Sequence, residues 1–273
     1  MLCGGKSFSQ ESDLVFDKPY YKCENRYITF PQREDGSYML MFLYLDHSAG
    51  FTFSYEGTFT IENNKYIYKA KERESRIIYR IEKNSRLLAI VDDKRIAEMK
   101  LPQYPDWLSN YQKGENDTYG QYRRGFIFND VGASELALPI LLKAYAKEPH
   151  FKGLEFEIAY AYNALNQPAE AVKILEKAIK NAPKDAMFYR ELGYSYKHLK
   201  KYADAEKTYK KGIALSDNKV QQAEMAFNMA GAYYEKKDRT KYEEWKTELK
   251  KYADENSFYY NEILKMDKIF ETR

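Results

Sequence analysis

Residues 189–212 read YRELGYSYKHLKKYADAEKTYKKG, and this segment determines how the C-terminal half of the chain folds. Its small and large apolar residues recur at helical spacing, which predicts helices. The same pattern occurs three times at a step of 34 residues. A period of this length predicts a stack of repeated helical units. The positions that keep the step are Ala137, Ala171 and Ala205; Leu141, Leu175 and Tyr209; and Ala144, Ala178 and Gly212.

The period and the order of residue types resemble the tetratricopeptide repeat, in which small, aromatic, large apolar and proline positions follow a fixed order. Pro149 and Pro183 keep the step, and Asp217 stands where a third proline would fall. The resemblance implies two helices in each repeat. Small residues then allow the two helices to approach closely, large residues fill the gap between neighbouring repeats, and proline ends the second helix.

Two copies, the first of these three and a fourth, depart from the pattern. The first has Arg124 where the third has Leu192, so we expect its first helix to be irregular or to pack on the N-terminal domain. In a looser fourth copy Trp245 replaces the small residue, which calls standard helix pairing into question. We assign three clear to four repeats to residues 118–251 and a capping helix to residues 252–273.

Residues 25–100 show short β-branched and aromatic runs separated by polar turns, a pattern typical of strands. Ser37–Leu45 has a core, Met39–Tyr44, that is apolar on both faces and should be central, and Gly57 indicates a bulge or a bend. The fold class is therefore α+β multidomain: an antiparallel β meander over 10–100, a connector over 101–117 with one helical turn near Trp107, and an all-α solenoid. The meander closes as a small barrel or folds as a sandwich. Strands are predicted at 25–30, 37–45, 51–61, 66–68, 76–81, 87–91 and 95–99.

The N-terminus carries Ser7-Phe8-Ser9, a pattern after which signal peptidases cut, without the basic and apolar regions of a signal peptide. This ending before Gln10 resembles secretory leaders of Bacteroidota bacteria. The resemblance implies that residues 1–9 are the remnant of a signal peptide and that the protein is periplasmic or secreted; a cytoplasmic protein is the alternative. Cys3 belongs to the leader or marks a lipid-anchored start.

Composition and motifs exclude several function classes. Lys and Arg number 44 against 41 Asp and Glu, and a net charge of +3 supplies no field for collecting nucleic acid. No apolar run approaches the roughly 18 residues that span a bilayer, so no membrane insertion is expected. The common nucleophile and cofactor motifs are missing, and two cysteines exclude a cysteine-based zinc site. We expect no catalytic, cofactor-binding or metal site, and a protein that is not an enzyme.

The resemblance also implies that the first helix of each repeat lines a concave groove. Aromatic rings there supply contact area at low entropic cost, and asparagine amides pair with a bound backbone. One subset of the family grips a C-terminal Asp with Lys and Asn at positions where this chain has Tyr122 and Phe126, so that subset is not favoured. Counting from the small residues gives the candidate groove residues: Tyr119, Tyr122, Phe126 and Asn129, then Phe156, Tyr160 and Asn163, then Arg190, Tyr194 and Lys197.

These features predict a non-enzymatic adaptor or assembly factor that binds a segment of a partner protein in the groove. Some of the rings would instead pack on the β domain or the terminal helix. A second function remains open, in which the β domain binds a small ligand or glycan, or is an unrecognised hydrolase, and the repeats anchor it in an envelope complex. Its motivation is the aromatic run Phe51, Phe53, Tyr55 and Phe59. A third is neutralisation of a secreted toxin, as an immunity protein does. The sequence identifies neither the partner nor the oligomeric state.

Overall fold

A computed structural model describes residues 13–72, 77–81 and 86–271. The chain divides into two compact units between Asn116 and Asp117. The leader remnant expected over 1–9 lies outside the described residues.

The strands of the N-terminal unit form one antiparallel sheet. Its order is β1-β7-β2-β3-β4-β5, and β6 also pairs with β4. The expected central strand is β3, which pairs with β2 and β4 and is buried along nearly its whole length. The described strands leave the sheet open, so a closed barrel is not confirmed. The strands are β1 Lys18–Pro19, β2 Arg26–Thr29, β3 Tyr38–Asp46, β4 Gly50–Glu62, β5 Lys65–Ala70, β6 Ile77–Arg80 and β7 Leu87–Ile90.

The long strand β4 contains the bulge that Gly57 predicts. Leu40 of β3 faces Gly57, whereas its neighbour Met41 faces Tyr55, so one residue of β4 is extra. Gly57 has a φ of +143°, and a Cβ there would lie 2.4 Å from the Lys69 carbonyl oxygen. The bulge is confirmed, and a side chain at this position is excluded by both backbone conformation and space.

The prediction of a last strand over 95–99 is wrong. Asp93–Glu98 form helix α1, because the Asp92 carboxylate caps it by accepting a hydrogen bond from the Lys94 backbone N–H at 2.6 Å. Ile96 of this helix and Met99, which follows it, are buried in the hydrophobic core formed with the sheet.

The segment expected to be a connector adds to the same core. A 3-10 helix covers Asp106–Asn110, where one helical turn was predicted. The Trp107 ring packs edge-on against Phe42 and Tyr44, with ring centroids 5.7 and 5.1 Å apart. Leu108 beside it is buried. This part of the chain therefore belongs to the hydrophobic core of the N-terminal unit.

Over residues 117–271 the C-terminal unit contains four helix pairs followed by a terminal helix. The helices α2 and α3, α4 and α5, α6 and α7, and α8 and α9 pack as pairs, and α10 packs on α8 and α9. Trp245 is buried between them, so the fourth pair forms although the small residue is missing. The helices are α2 Thr118–Asp130, α3 Ser134–Lys147, α4 Leu154–Ala164, α5 Pro168–Asn181, α6 Ala186–His198, α7 Tyr202–Leu215, α8 Lys219–Glu235, α9 Arg239–Lys250 and α10 Phe258–Glu271.

Close approach within each pair explains the small residues of the repeat. A Cβ on Gly125 would lie 2.3 Å from Leu141 Cδ2, and one on Gly193 would lie 2.6 Å from the Tyr209 ring. The large residue of the second helix thus packs on the small residue of the first helix in the same repeat. The large residues also reach the next repeat, as the sequence predicts, since Leu175 shares a buried cluster with Phe188 and Leu192. The first helix of the first repeat, α2, is also regular despite Arg124.

Candidate functional site

The first helices of successive repeats lie side by side, since α2 contacts α4, α4 contacts α6, and α6 contacts α8. Residues one step of 34 apart therefore form rows across these helices, and we call the surface they make the groove surface. Three rows contain most of the predicted residues. The stacked row is Tyr122, Phe156, Arg190 and Glu224; the aromatic row is Phe126, Tyr160, Tyr194 and Asn228; the amide row is Asn129, Asn163 and Lys197.

In the stacked row Arg190 connects three helices. Its guanidinium carbon lies 5.3 Å from the centroid of the Phe156 ring on α4. Its Nη1 lies 3.5 Å from Glu224 Oε2 on α8. Both contacts are stabilising, and together they connect α4, α6 and α8 through one side chain of the groove surface.

Tyr122, the first residue of this row, is half-buried. Its ring lies 5.5 Å from the Phe151 ring, between centroids, and its hydroxyl sits close above Gly153. Tyr119, one turn earlier on α2, is 59% exposed. Of these two rings, Tyr119 offers the larger surface to a partner.

The aromatic row contains the most exposed ring at the centre of the surface. Tyr160 is 41% exposed, while Phe126 and Tyr194 are half-buried. The Arg123 guanidinium lies 5.1 Å from the Phe126 ring centroid. Tyr194 packs on the His198 ring at 4.3 Å between centroids. An exposed tyrosine with packed aromatic neighbours is typical of an interface anchor.

The amide row has a structural role that the sequence analysis did not foresee. Asn129 is 3% exposed, and its Nδ2 donates to the Glu157 carbonyl oxygen at 3.0 Å and to Glu157 Oε2 at 2.8 Å. Asn163 Nδ2 donates to Glu191 Oε1 at 2.7 Å and to Ser195 Oγ at 2.9 Å. Each amide therefore ties one repeat to the next. The expectation that these amides pair with a bound backbone does not suit the buried Asn129.

Glu157 and Glu191 are the residues that sequence reasoning missed. Both are buried, and burial raises the pKa of each carboxyl above its usual value. The hydrogen bond that Asn129 donates to Glu157, or Asn163 to Glu191, opposes the shift. The sequence does contain a signal for them. Each glutamate stands two residues before the small residue of its helix and 28 residues after an asparagine.

The third residue of the amide row is Lys197. Its Nζ donates to Asn228 Oδ1 at 3.0 Å and lies 4.8 Å from the centroid of the Tyr194 ring. Burial lowers the pKa of this ammonium, and the more distant carboxylates of Glu235 and Glu224 oppose the shift. Lys197 therefore contributes a half-buried positive charge to the groove surface.

A cavity of about 220 Å³ opens between the rows. It is smaller than the roughly 300–1,000 Å³ of sites for drug-sized ligands, so it suits a single side chain of a protein partner. Its lining includes Tyr160, Asn163, Arg190, Glu191, Tyr194 and Glu224.

The aromatic run that motivated a ligand site in the β domain lies largely in the core. Phe51 and Phe59 are buried. The Phe59 ring stacks between Tyr38 and Tyr66, with centroids 5.1 and 4.9 Å away. Packing within the sheet thus accounts for most of this run, and a ligand-binding role is not favoured.

Three further features relevant to function are the thiol of Cys23, metal-binding groups and membrane-spanning helices. Cys23 is buried, which raises the pKa of its thiol to about 11 and makes the thiolate scarce. Among the described residues, no three His, Cys, Asp or Glu side chains come together as a metal-binding group. None of the helices in the described ranges combines the length and the apolar character required to cross a membrane.

Comparisons with known proteins agree with the repeats. Family models described as tetratricopeptide repeat match residues 131–190 and 188–219. A thermophilic TPR protein of Thermus thermophilus is 18% identical with a TM-score of 0.50, covering 58% of this chain and 86% of that one. MamA of Desulfovibrio magneticus RS-1, from residue 41 on, is 18% identical with a TM-score of 0.45, covering 58% and 84%. PilF of Pseudomonas aeruginosa is 17% identical with a TM-score of 0.47, covering 60% and 73%. The search of curated proteins gives no match. The family models thus confirm tetratricopeptide repeats over residues 131–219.

Proposed function

We propose that this protein, whose helical unit carries tetratricopeptide repeats, is a non-enzymatic adaptor or assembly factor that binds a segment of a partner protein on the groove surface. Stacked repeats present an extended surface for which binding of protein segments is the common use. The observation that carries the proposal is Tyr160. This ring is exposed at the centre of the surface and borders a cavity the size of one side chain.

The predicted residues then have two kinds of role. The residues that contact the partner are the exposed Tyr119 and Tyr160 and the half-buried, well-packed Arg190 and Tyr194. Asn129 and Asn163 keep the repeats in register through their bonds to the next helix. Exposed aromatic and arginine side chains at the centre of an interface contribute most of its binding energy.

Site-directed photo-crosslinking in the cells that make the protein tests this proposal. A photoreactive phenylalanine analogue replaces Tyr160 in the full chain, and we expect a discrete adduct with a partner protein on irradiation. The matched control is Tyr104, which is 52% exposed and lies in the N-terminal unit. Adducts from position 104 with none from position 160 would assign partner binding to the other unit and refute the proposal.

We also propose that the protein is exported, on the basis of the Ser7-Phe8-Ser9 pattern. Cell fractionation tests this. Recovery of the protein in the periplasmic or culture fraction supports export, and its recovery with cytoplasmic markers contradicts it.

A further inference from the structure

The amide row changes its chemistry at the third repeat. Asn129 and Asn163 each donate to a carboxylate 28 residues later, at Glu157 and Glu191. One repeat further, lysine replaces the amide at Lys197, and methionine replaces the carboxylate at Met225. The positive charge of Lys197 therefore stands in the repeat whose partner position, Met225, has no carboxylate.

The surroundings of Lys197 do not replace that carboxylate. Its hydrogen-bond acceptor, Asn228 Oδ1, is neutral, and its other close neighbour is the ring of Tyr194. Within the described part of the chain Lys197 forms no salt bridge, and Glu224 and Glu235 act on it from a greater distance. A half-buried charge without a close counter-charge is destabilising.

Three other cations of the helical unit have a carboxylate within 4 Å. Arg190 has Glu224 on the neighbouring helix. Lys241 lies 2.9 Å from a carboxylate oxygen of Glu244, and Lys246 lies 2.9 Å from one of Asp267. The unmatched charge at Lys197 lies on the same surface that we assign to partner binding.

We propose that Lys197 binds an acidic side chain, Asp or Glu, of the partner segment. This inference rests on the proposed function and specifies the chemistry of the partner. Tyr194 is shared between Lys197 and the 220 Å³ cavity. The segment therefore carries its acidic residue close to an anchor residue that enters the cavity.

Selection of peptides tests the inference without knowledge of the partner. Random short peptides displayed on phage are selected on the full chain, on Lys197→Gln and on Lys207→Gln, an exposed lysine of α7 that serves as the control. We expect peptides enriched in Asp or Glu on the wild-type chain and on Lys207→Gln. Synthetic copies should bind Lys197→Gln about tenfold more weakly, the usual effect of losing one charge-assisted hydrogen bond. Thermal unfolding of both variants shows that they are folded.

The outcomes separate this inference from the proposed function. Peptides that lose binding with Tyr160→Ala, but show no acidic enrichment and bind Lys197→Gln unchanged, leave the groove in place and overturn the role of Lys197. Synthetic copies that bind with a free C-terminus but not with an amidated C-terminus would assign the site to a terminal carboxylate, which also overturns it. Failure to select any peptide sensitive to Tyr160→Ala contradicts both proposals.

Discussion

Gly193 lies against the ring of Tyr209, and this contact sets the distance between α6 and α7. A methyl group at Gly193 would lie 2.6 Å from two ring carbons, which are rigid and cannot yield. Overpacking of about 1–3 kcal/mol then outweighs the gain in helix propensity of roughly 1 kcal/mol, so we expect Gly193→Ala to lower the free energy of unfolding.

Gly231 provides the control, because it is also helical and a Cβ there meets nothing within 4 Å. Gly231→Ala should raise the free energy of unfolding by up to about 1 kcal/mol. Urea unfolding of the two full-length variants measures the difference. Equal effects of the two substitutions would show that Tyr209 does not limit helix approach.

The buried carboxyl of Glu191 makes stability depend on pH. Because burial raises its folded pKa, the folded chain holds this proton more tightly than the unfolded chain. Its contribution to stability is present below the ordinary pKa of a glutamate and is lost as pH rises through the raised value. Glu191→Gln keeps an acceptor for Asn163 and cannot ionise, so we expect it to be more stable than the wild type at neutral pH.

The gain from Glu191→Gln should shrink as the pH falls towards the ordinary pKa of glutamate. Thermal unfolding across that range measures it, with Glu135→Gln, an exposed glutamate of α3, as the control. A gain that is the same at every pH would mean that ionisation of Glu191 is not its cause.

The terminal helix α10 stabilises the stack through one side of its surface. Ile263 is fully buried against α8 and α9, whereas the adjacent Leu264 is 39% exposed. Ile263→Ala should lower the free energy of unfolding by about 2–5 kcal/mol, and Leu264→Ala should change it by less than about 0.5 kcal/mol. Chemical denaturation of both variants checks this. Similar losses would show that α10 does not pack as described.

Sequence patterns predicted the long helices but not α1. A helical period needs about 11–18 residues to be visible, and α1 has six. Its formation depends on the Asp92 cap and on burial of Ile96 beneath the sheet, a contact that local sequence does not reveal. In contrast, the bulge at Gly57 was predictable because a glycine inside a strand usually marks a bulge, a bend or a close approach of another backbone.

The groove surface likewise shows what the sequence could predict and what it could not. Its residues were predictable as positions, because the step of 34 fixes which side chains share a row. Their availability was not predictable, since Asn129 is occupied by Glu157 from another repeat. Which polar groups satisfy one another is decided by tertiary packing.

In a stack of repeats each unit contacts its neighbours, so damage at one end should stay near that end. We expect Ile263→Ala to increase amide hydrogen exchange in α8 and α9 and to leave α4 and α5 unchanged. Hydrogen exchange measured by mass spectrometry on the full chain tests this. A uniform increase over α2 to α9 would show that the unit unfolds as a single cooperative body.

The bond between Asn163 and Glu191 also bears on how such a chain can lengthen. Because donor and acceptor are 28 residues apart, less than one repeat, a duplicated copy of the second repeat brings an amide for the unit after it and a carboxylate for the unit before it. New copies can therefore be inserted before Lys197 without inventing new chemistry. At the next step Lys197 and Met225 stand in place of the asparagine and the glutamate, so the series ends there. Copies inserted before the third repeat would therefore keep these hydrogen bonds, whereas copies inserted after it would not.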